Sequence, residues 1–253
     1  MTVDALSGVT SIRVLGVRVD DVDQSMAAER IMAMAAVGRP HQVVTLNPEF
    51  IVRARRDAAF AAVLEAADLA LPDGVGIVWA SYILGTPLHG RATGVQTVLD
   101  LAVSAGERGL SFYLLGAAPG VAEAAAARLV THAPGLRIAG TFAGSPAPEV
   151  EDETVARIRQ AAPDFLLVAY GAPQQDLWIA RNKERLGVPV AIGVGGTFDY
   201  LSGRVAWPSP LWRRLGLEWL CRLLRQPWRW RRMLALPRFA FLVFASRLRG
   251  GPK

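Results

Sequence analysis

The sequence predicts an α/β protein, a Rossmann-like, mostly parallel sheet with helices on both faces, followed by a helical basic appendage. Short apolar, β-branched runs alternate with longer helical segments as far as residue 203, the order from which covered parallel sheets are built. Several of these runs end in glycine beside a polar residue, which places ligand-binding groups along one sheet edge. The composition then changes abruptly. Residues 204–253 hold 12 basic residues and five of the seven tryptophans against the single acid Glu218, whereas residues 1–203 hold 16 basic residues and 21 acids. The expected division is therefore an α/β domain at 1–203 and a basic, Trp-rich appendage at 204–253.

At 253 residues and 52% hydrophobic, the chain can bury a sizeable core, which excludes a disordered class. Cys221 is the only cysteine, so no intrachain disulfide can form. Met1 to Gly8 has neither a basic n-region nor an apolar h-region, so no secretory leader is expected and cytoplasmic residence follows. No apolar run approaches the roughly 18 residues of a membrane span, and the run from Phe239 to Ser246 is too short.

Along the chain, Ile12 to Val19 alternates as a strand or hairpin start and ends at Asp20-Asp21-Val22-Asp23. Asp21-Val-Asp23 matches the Asp-x-Asp pattern of metal-dependent sugar transferases. Followed by Gln24-Ser-Met-Ala-Ala-Glu, it reads better as a helix N-cap and first turn, and no metal site is expected. His41 to Asn47 is a short buried strand, and Pro48-Glu49 opens a helix reaching about Ala58. Thr45 and Asn47 share one face at the C-terminal end of that strand, although Asn47 alone would be a simple helix cap.

Asp68 to Pro72 delivers Asp73 to a turn in which Gly74 and Gly76 permit close backbone approach. An isolated Asp-Gly pair is ordinarily just a turn. A helix starting beside this carboxylate would hold it ionised, as a base requires. Leu84 to Gly94 is a glycine-rich loop in which Arg91 and Thr93 suit a phosphate or sugar hydroxyl, with a solvated surface arginine as the plain alternative. A helix from about Val95 to Arg108 follows.

Leu110 to Gly116 is another strand, turning through Pro119-Gly120 into the helix Val121 to Thr131, so that backbone N–H groups after Gly116 could meet a phosphate. The Gly-x-Gly-x-x-Gly pattern is absent, which argues against a dinucleotide-dependent oxidoreductase. A helix is expected near Glu151 to Ala161. Asp164 to Gly171 is a strand leading into Gln174-Gln175-Asp176 and a helix to Glu184. Val188 to Asp199 holds the last strand and the turn Gly195-Gly196.

In the appendage, helical spacing puts Trp212, Leu215, Trp219, Leu220 and Leu223 on one apolar arc, part of which could equally be core packing. Arg214, Glu218, Arg222 and Arg225 lie opposite, with Glu218 spaced to pair with Arg214 or Arg222. Gln226-Pro227 breaks the helix before Trp228-Arg-Trp-Arg-Arg232. Such a tail suits anions that offer apolar surface as well. A phospholipid layer fits better than nucleic acid, because Leu234 to Leu248 adds aliphatic and phenylalanine side chains suited to lipid burial.

The ordered set Thr45-Leu-Asn47, Asp73-Gly-Val-Gly76, Arg91-x-x-Gly94, Gly171-x-Pro173-x-Gln175, Gly195-Gly196-x-Phe198-Asp199 and Gly216-Leu-Glu218-Trp219-x-x-Arg222 resembles the WecG/TagA/CpsF family of bacterial glycosyltransferases from about Val14 to Arg232. The resemblance implies inverting, metal-independent transfer from a UDP-sugar donor to a lipid-linked acceptor, typically a polyprenyl-diphosphate sugar, with no cofactor. Donors of the family include UDP-N-acetylmannosamine and its uronic acid. The enzyme would be peripheral on the inner face of the plasma membrane, with no nucleic-acid partner; a homo-oligomer is left open. Asp73 would be the general base with Thr45 and Asn47 beside it. Arg91, Thr93, Gly116, Gln175, Gly195, Gly196 and Asp199 would hold substrate, and Arg214, Arg222 and Arg225 would meet the acceptor diphosphate and lipid headgroups. The chain departs from the family pattern at Gln174-Gln175-Asp176, where Lys-Gln-Glu is usual, and at Trp207-Pro208-Ser209, where Arg-Ala-Pro is usual. The competing reading is a non-catalytic membrane- or nucleic-acid-binding protein on the same core.

Overall fold

A computed structural model describes residues 8–249; residues 1–7, the last four residues and the Arg214 side chain lie outside the described residues. The chain opens with the hairpin β1 (Ser11–Val14) and β2 (Val17–Asp20), which pair antiparallel as a small separate sheet. Then follow α1 (Gln24–Ala35), β3 (His41–Leu46), α2 (Pro48–Ala54), α3 (Ala58–Ala66), β4 (Leu69–Pro72), α4 (Val75–Leu84) and α5 (Gly94–Glu107). The second half adds β5 (Ser111–Gly116), α6 (Val121–His132), β6 (Arg137–Phe142), α7 (Glu151–Ala161), β7 (Phe165–Ala169), α8 (Gln174–Leu186), β8 (Val190–Gly193) and α9 (Thr197–Leu201). The C-terminal segment is helical: α10 (Pro210–Arg214), α11 (Glu218–Arg225), α12 (Trp230–Met233) and α13 (Ala235–Leu248).

Strands β3 to β8 form one six-stranded sheet in the order β4-β3-β8-β7-β5-β6, parallel throughout. The central strands are buried on both faces, and their two-residue period divides the core. Phe165 and Leu167 of β7 point to the side covered by α1, α5 and α6, whereas Leu166 and Val168 pack with Trp178 and Ile179 of α8. Phe112 and Phe165 meet edge-on, with ring centroids 5.4 Å apart, across the β5–β7 pair.

Two expectations needed revision. The helix after Asn47 is two helices, because Asp57 stops the first and caps the second by accepting the Phe60 N–H at 3.0 Å. The long amphipathic helix expected after Pro208 is broken at Leu215-Gly216-Leu217. Gly216 has φ +69°, a left-handed conformation that a helix cannot contain, and it passes so close to Val75 that a Cβ would stand 2.5 Å from that side chain.

The C-terminal segment is also not free of the α/β core. α13 packs on α2 and α4, and its Phe239 and Val243 are buried among Val44, Leu46, Phe50, Ile51, Ile77 and Ala80. Part of the apolar stretch expected to enter lipid is therefore core, since one face of α13 covers two helices that would otherwise expose it. Phe241, Phe244 and Leu248 remain exposed.

Candidate active site

The C-terminal ends of β4, β3, β7 and β8 form one wall of a continuous cleft of about 810 Å³, and residues 215–244 form the other. Asp73 stands on its floor. The Asp73 N–H donates to the Leu46 carbonyl at 2.7 Å, fixing the residue at the point where β4 leaves the sheet, and Gly74 with φ +102° turns the chain into α4. Its carboxylate accepts the Gly94 N–H at the start of α5.

Contrary to the sequence expectation, the helix starting beside it, α4, does not hold Asp73 as an ordinary ionised carboxylate. Burial, with the negative charge of Glu218 second, pushes its pKa up to about 7, against the opposing influence of the Gly94 N–H and the Arg91 guanidinium. A carboxyl so placed can accept a proton near neutral pH, as a general base must.

Thr45 and Asn47 line the cleft beside it. The Thr45 hydroxyl donates to the Gly193 carbonyl at 3.1 Å, tying β3 to β8. Asn47 caps α2, its Oδ1 accepting from the N–H groups of Glu49 at 2.9 Å and Phe50 at 3.2 Å, so the plain reading of this residue holds while its position also puts it in the cleft. Gln175 is buried; its Oε1 accepts from the Gly171 N–H at 3.1 Å and the Gly195 N–H at 3.0 Å and so clamps two of the loops that form the wall. Thr93, Gly195, Gly196 and Asp199 also line the cleft.

Gly116 does not. It has φ +101° and lies against the Ala169 backbone, where a Cβ would stand 2.8 Å from the carbonyl carbon, so its glycine is required by strand packing.

The opposite wall is cationic. Arg91 reaches across to it, pairing with Glu218 at 3.1 Å and donating to the Arg213 carbonyl at 2.7 Å. Glu218 thus binds Arg91 from a distant loop and not Arg222, which stays at i, i+4 in the same helix but pairs with Asp199; the Arg214 side chain lies outside the described residues. Arg222 pairs with Asp199 at 3.1 Å and lies over the Tyr200 ring, 4.9 Å from its centroid. Arg225 is turned outward onto the Ala206 carbonyl and does not line the cleft.

Arg229 and Arg232 line it instead, and nothing in the Trp-Arg block itself marks which of its arginines do so. Arg232 forms a bidentate pair with Glu49, with Nε to Oε1 at 2.9 Å and Nη2 to Oε2 at 2.9 Å. Arg229 is lowered to about 10 by burial and then by the positive charges of Arg222 and Arg232. Its buried Nε has no hydrogen-bond partner among the described residues. Three guanidiniums drawn together at this cost make a ready site for a polyanion such as a diphosphate.

The two departures from the family pattern lie away from this cleft. Gln174 is exposed at the start of α8, and Trp207 receives the Arg213 guanidinium over its ring at 4.3 Å. Asp176 is fully buried, and burial raises its pKa to about 7 against the opposing influence of the neighbouring Gln175 side chain. Of the Asp-x-Asp pair, Asp23 caps α1 through the Met26 N–H at 2.9 Å, and Asp21 accepts from the His89 N–H at 2.8 Å; neither lines the cleft.

The sequence model described as the glycosyl transferase WecG/TagA/CpsF family matches residues 12–253. An N-acetylglucosaminyldiphosphoundecaprenol N-acetyl-beta-D-mannosaminyltransferase of Bacillus spizizenii is 36% identical over 203 residues, covering 79% of this chain and 77% of the relative. The protein of that name from Bacillus subtilis is 35% identical over 204 residues, 79% of this chain and 78% of its own length. The one from Staphylococcus aureus strain MW2 is 30% identical over 246 residues, 96% of both chains.

Proposed function

The chain belongs to the WecG/TagA/CpsF family of glycosyltransferases, and we propose that it is an inverting, metal-independent enzyme that moves a sugar from a UDP donor to a polyprenyl-diphosphate-linked sugar. N-acetylmannosamine, its uronic acid or a related hexose is the proposed donor sugar, by analogy with the names of the relatives. The observation that carries the reading is the pairing of Asp73, with its pKa near 7, with a facing wall of arginines in one cleft.

In this mechanism the ionised Asp73 takes the proton of an acceptor hydroxyl. The hydroxyl oxygen attacks the anomeric carbon on the face opposite the nucleotide, a new glycosidic bond forms, and the old C–O bond breaks with its electron pair leaving on UDP. An α-linked donor therefore gives a β-linked product. Thr45 and Asn47 border the reacting centre, while Arg91, Thr93, Gln175, Gly195, Gly196 and Asp199 shape the substrate pocket. Arg222, Arg229 and Arg232 supply positive charge for the diphosphate of the lipid-linked acceptor. Because Asp21 and Asp23 are engaged elsewhere, they support the metal-independent reading.

Association with the inner face of the plasma membrane is part of the proposal. Arginine and exposed Trp228, Trp230 and Leu224 on the C-terminal helices suit an anionic lipid surface, and no helix among the described residues is long and apolar enough to span one. The function is tested by incubating the purified chain with a panel of UDP-sugars and a polyprenyl-diphosphate N-acetylglucosamine in detergent, following UDP release and product mass. One donor should give a disaccharide product whose formation persists in excess chelator. Loss of activity in chelator with recovery in Mn²⁺ would contradict the metal-independent step.

A further inference from the structure

The cleft that holds these arginines also extends to α4 and α13, where its more exposed lining is apolar: Trp79, Ile83, Leu236, Ala240 and Phe244. These residues recur at helical spacing on each element, so two facing stripes run along a groove. From Leu236 to Phe244 the stripe is about 12 Å long at the rise of an α-helix. Trp79 is 66% exposed and Phe244 56%, although both belong to a cleft whose other end is charged. Exposed aromatic side chains at the open end of a polar pocket are costly to leave in water and mark a site for an apolar ligand.

The chemistry gathered in the cleft identifies that ligand. Asp73, the guanidiniums of Arg222, Arg229 and Arg232, and the apolar side chains of α4 and α13 all line it. A sugar hydroxyl, a diphosphate and a hydrocarbon chain occur together in only one of the two substrates assigned above, the lipid-linked acceptor. A nucleotide sugar carries no hydrocarbon to place beyond its diphosphate.

We propose that the groove between α4 and α13 seats the first isoprene units of the acceptor's polyprenyl chain, so that α13 is a specificity element that measures lipid, with Ala240 in its open wall and Trp79 and Phe244 as its rims. The inference rests on the function proposed above. α13 is held rigidly enough for this role, because Phe239 and Val243 anchor it in the core.

The test uses two readouts. In the first, kcat/KM is compared for N-acetylglucosamine acceptors whose diphosphate carries either a long polyprenyl chain or a single isoprene unit, in the full chain and in Ala240→Trp. The wild-type protein should prefer the long chain by at least about tenfold, the worth of roughly two buried methylenes. The variant, whose indole fills the groove, should lose most of that ratio, and Phe244→Ala should reduce it by removing one rim. Ala240 is exposed, so a melting curve matching wild type is expected and checks the fold.

The second readout needs no catalysis. Farnesyl diphosphate should bind more tightly than inorganic diphosphate to wild type, and the advantage should disappear in Ala240→Trp. If no transfer occurs with any donor while this binding difference holds, the proposed function fails and the groove survives. An equal long-to-short ratio in wild type and variant, or equal binding of the two diphosphates, would overturn the groove. Displacement of farnesyl diphosphate by phosphatidylglycerol vesicles as effectively as by a longer prenyl diphosphate would also overturn it, assigning the groove to bilayer lipid.

Discussion

The two walls of the cleft are built on opposite principles. The sheet wall places Asp73, Thr45 and Gly195 at the ends of strands buried on both faces, with Gln175 in the first turn of α8 beside them, and each is fixed by a hydrogen bond of 2.7–3.1 Å that involves a backbone group. The C-terminal wall has few buried side chains outside α13. It is held by ion pairs reaching from the α/β core, Arg91 to Glu218, Arg222 to Asp199 and Arg232 to Glu49. A rigid wall suits the atom that must meet a proton within a fraction of an ångström. A wall of long, charged side chains suits a diphosphate that arrives and departs. The contrast locates chemistry on the first wall and substrate capture on the second.

The comparison can be broken most forcefully at the anchor of the second wall. Phe239→Ala should cost about 3–5 kcal/mol, lowering Tm by on the order of 10 °C in a chain of this size. A thermal melt showing no change would mean that α13 does not share the core. At Glu218 the two walls touch electrostatically. With its charge removed and Arg91 freed, Glu218→Gln should lower the Asp73 pKa, since Glu218 raises it and Arg91 opposes the rise. Asp73 works ionised, so wild-type kcat/KM should climb with pH and level off above about 7, and the variant's climb should lie at lower pH. A pH profile unmoved by the substitution would separate the walls.

The smallest effect is expected at Asp176, buried beneath the first wall. Its folded-state pKa of about 7 lies above the ordinary value of 3.8, so the folded protein binds this proton more tightly than the unfolded chain. Its contribution to stability is therefore fully present at low pH and declines as pH rises towards 7. Asp176→Asn should remove that decline, with a Tm advantage that grows with pH up to about 7 by about 2–4 °C for each kcal/mol recovered. A Tm difference independent of pH would place the carboxyl outside this account.

The sheet was legible because its strands are continuous apolar runs closed by glycine turns, a local signal that nothing distant overrides. Asp73 and Thr45 were legible for the same reason, as polar residues at strand ends. The C-terminal wall was not legible in the same way. Helical spacing assigned Glu218 to Arg214 or Arg222, but the fold brings Asp199 to Arg222 and Arg91, from a loop more than a hundred residues away, to Glu218. Arg225 and Arg229 look alike in sequence, and only the fold turns one to the Ala206 carbonyl and the other into the cleft. The raised pKa of Asp73 was equally hidden, since it follows from burial and a distant carboxylate and not from the turn that carries it.

The central claim is that Asp73 is the proton acceptor on the rigid wall. The direct measurement is kcat/KM for sugar transfer by Asp73→Asn, with UDP affinity determined by calorimetry on the same sample. The account predicts a loss of about 10²–10⁴-fold in rate, the range for removal of a general base, with UDP binding kept within a few-fold of wild type. Transfer at close to the wild-type rate would contradict it.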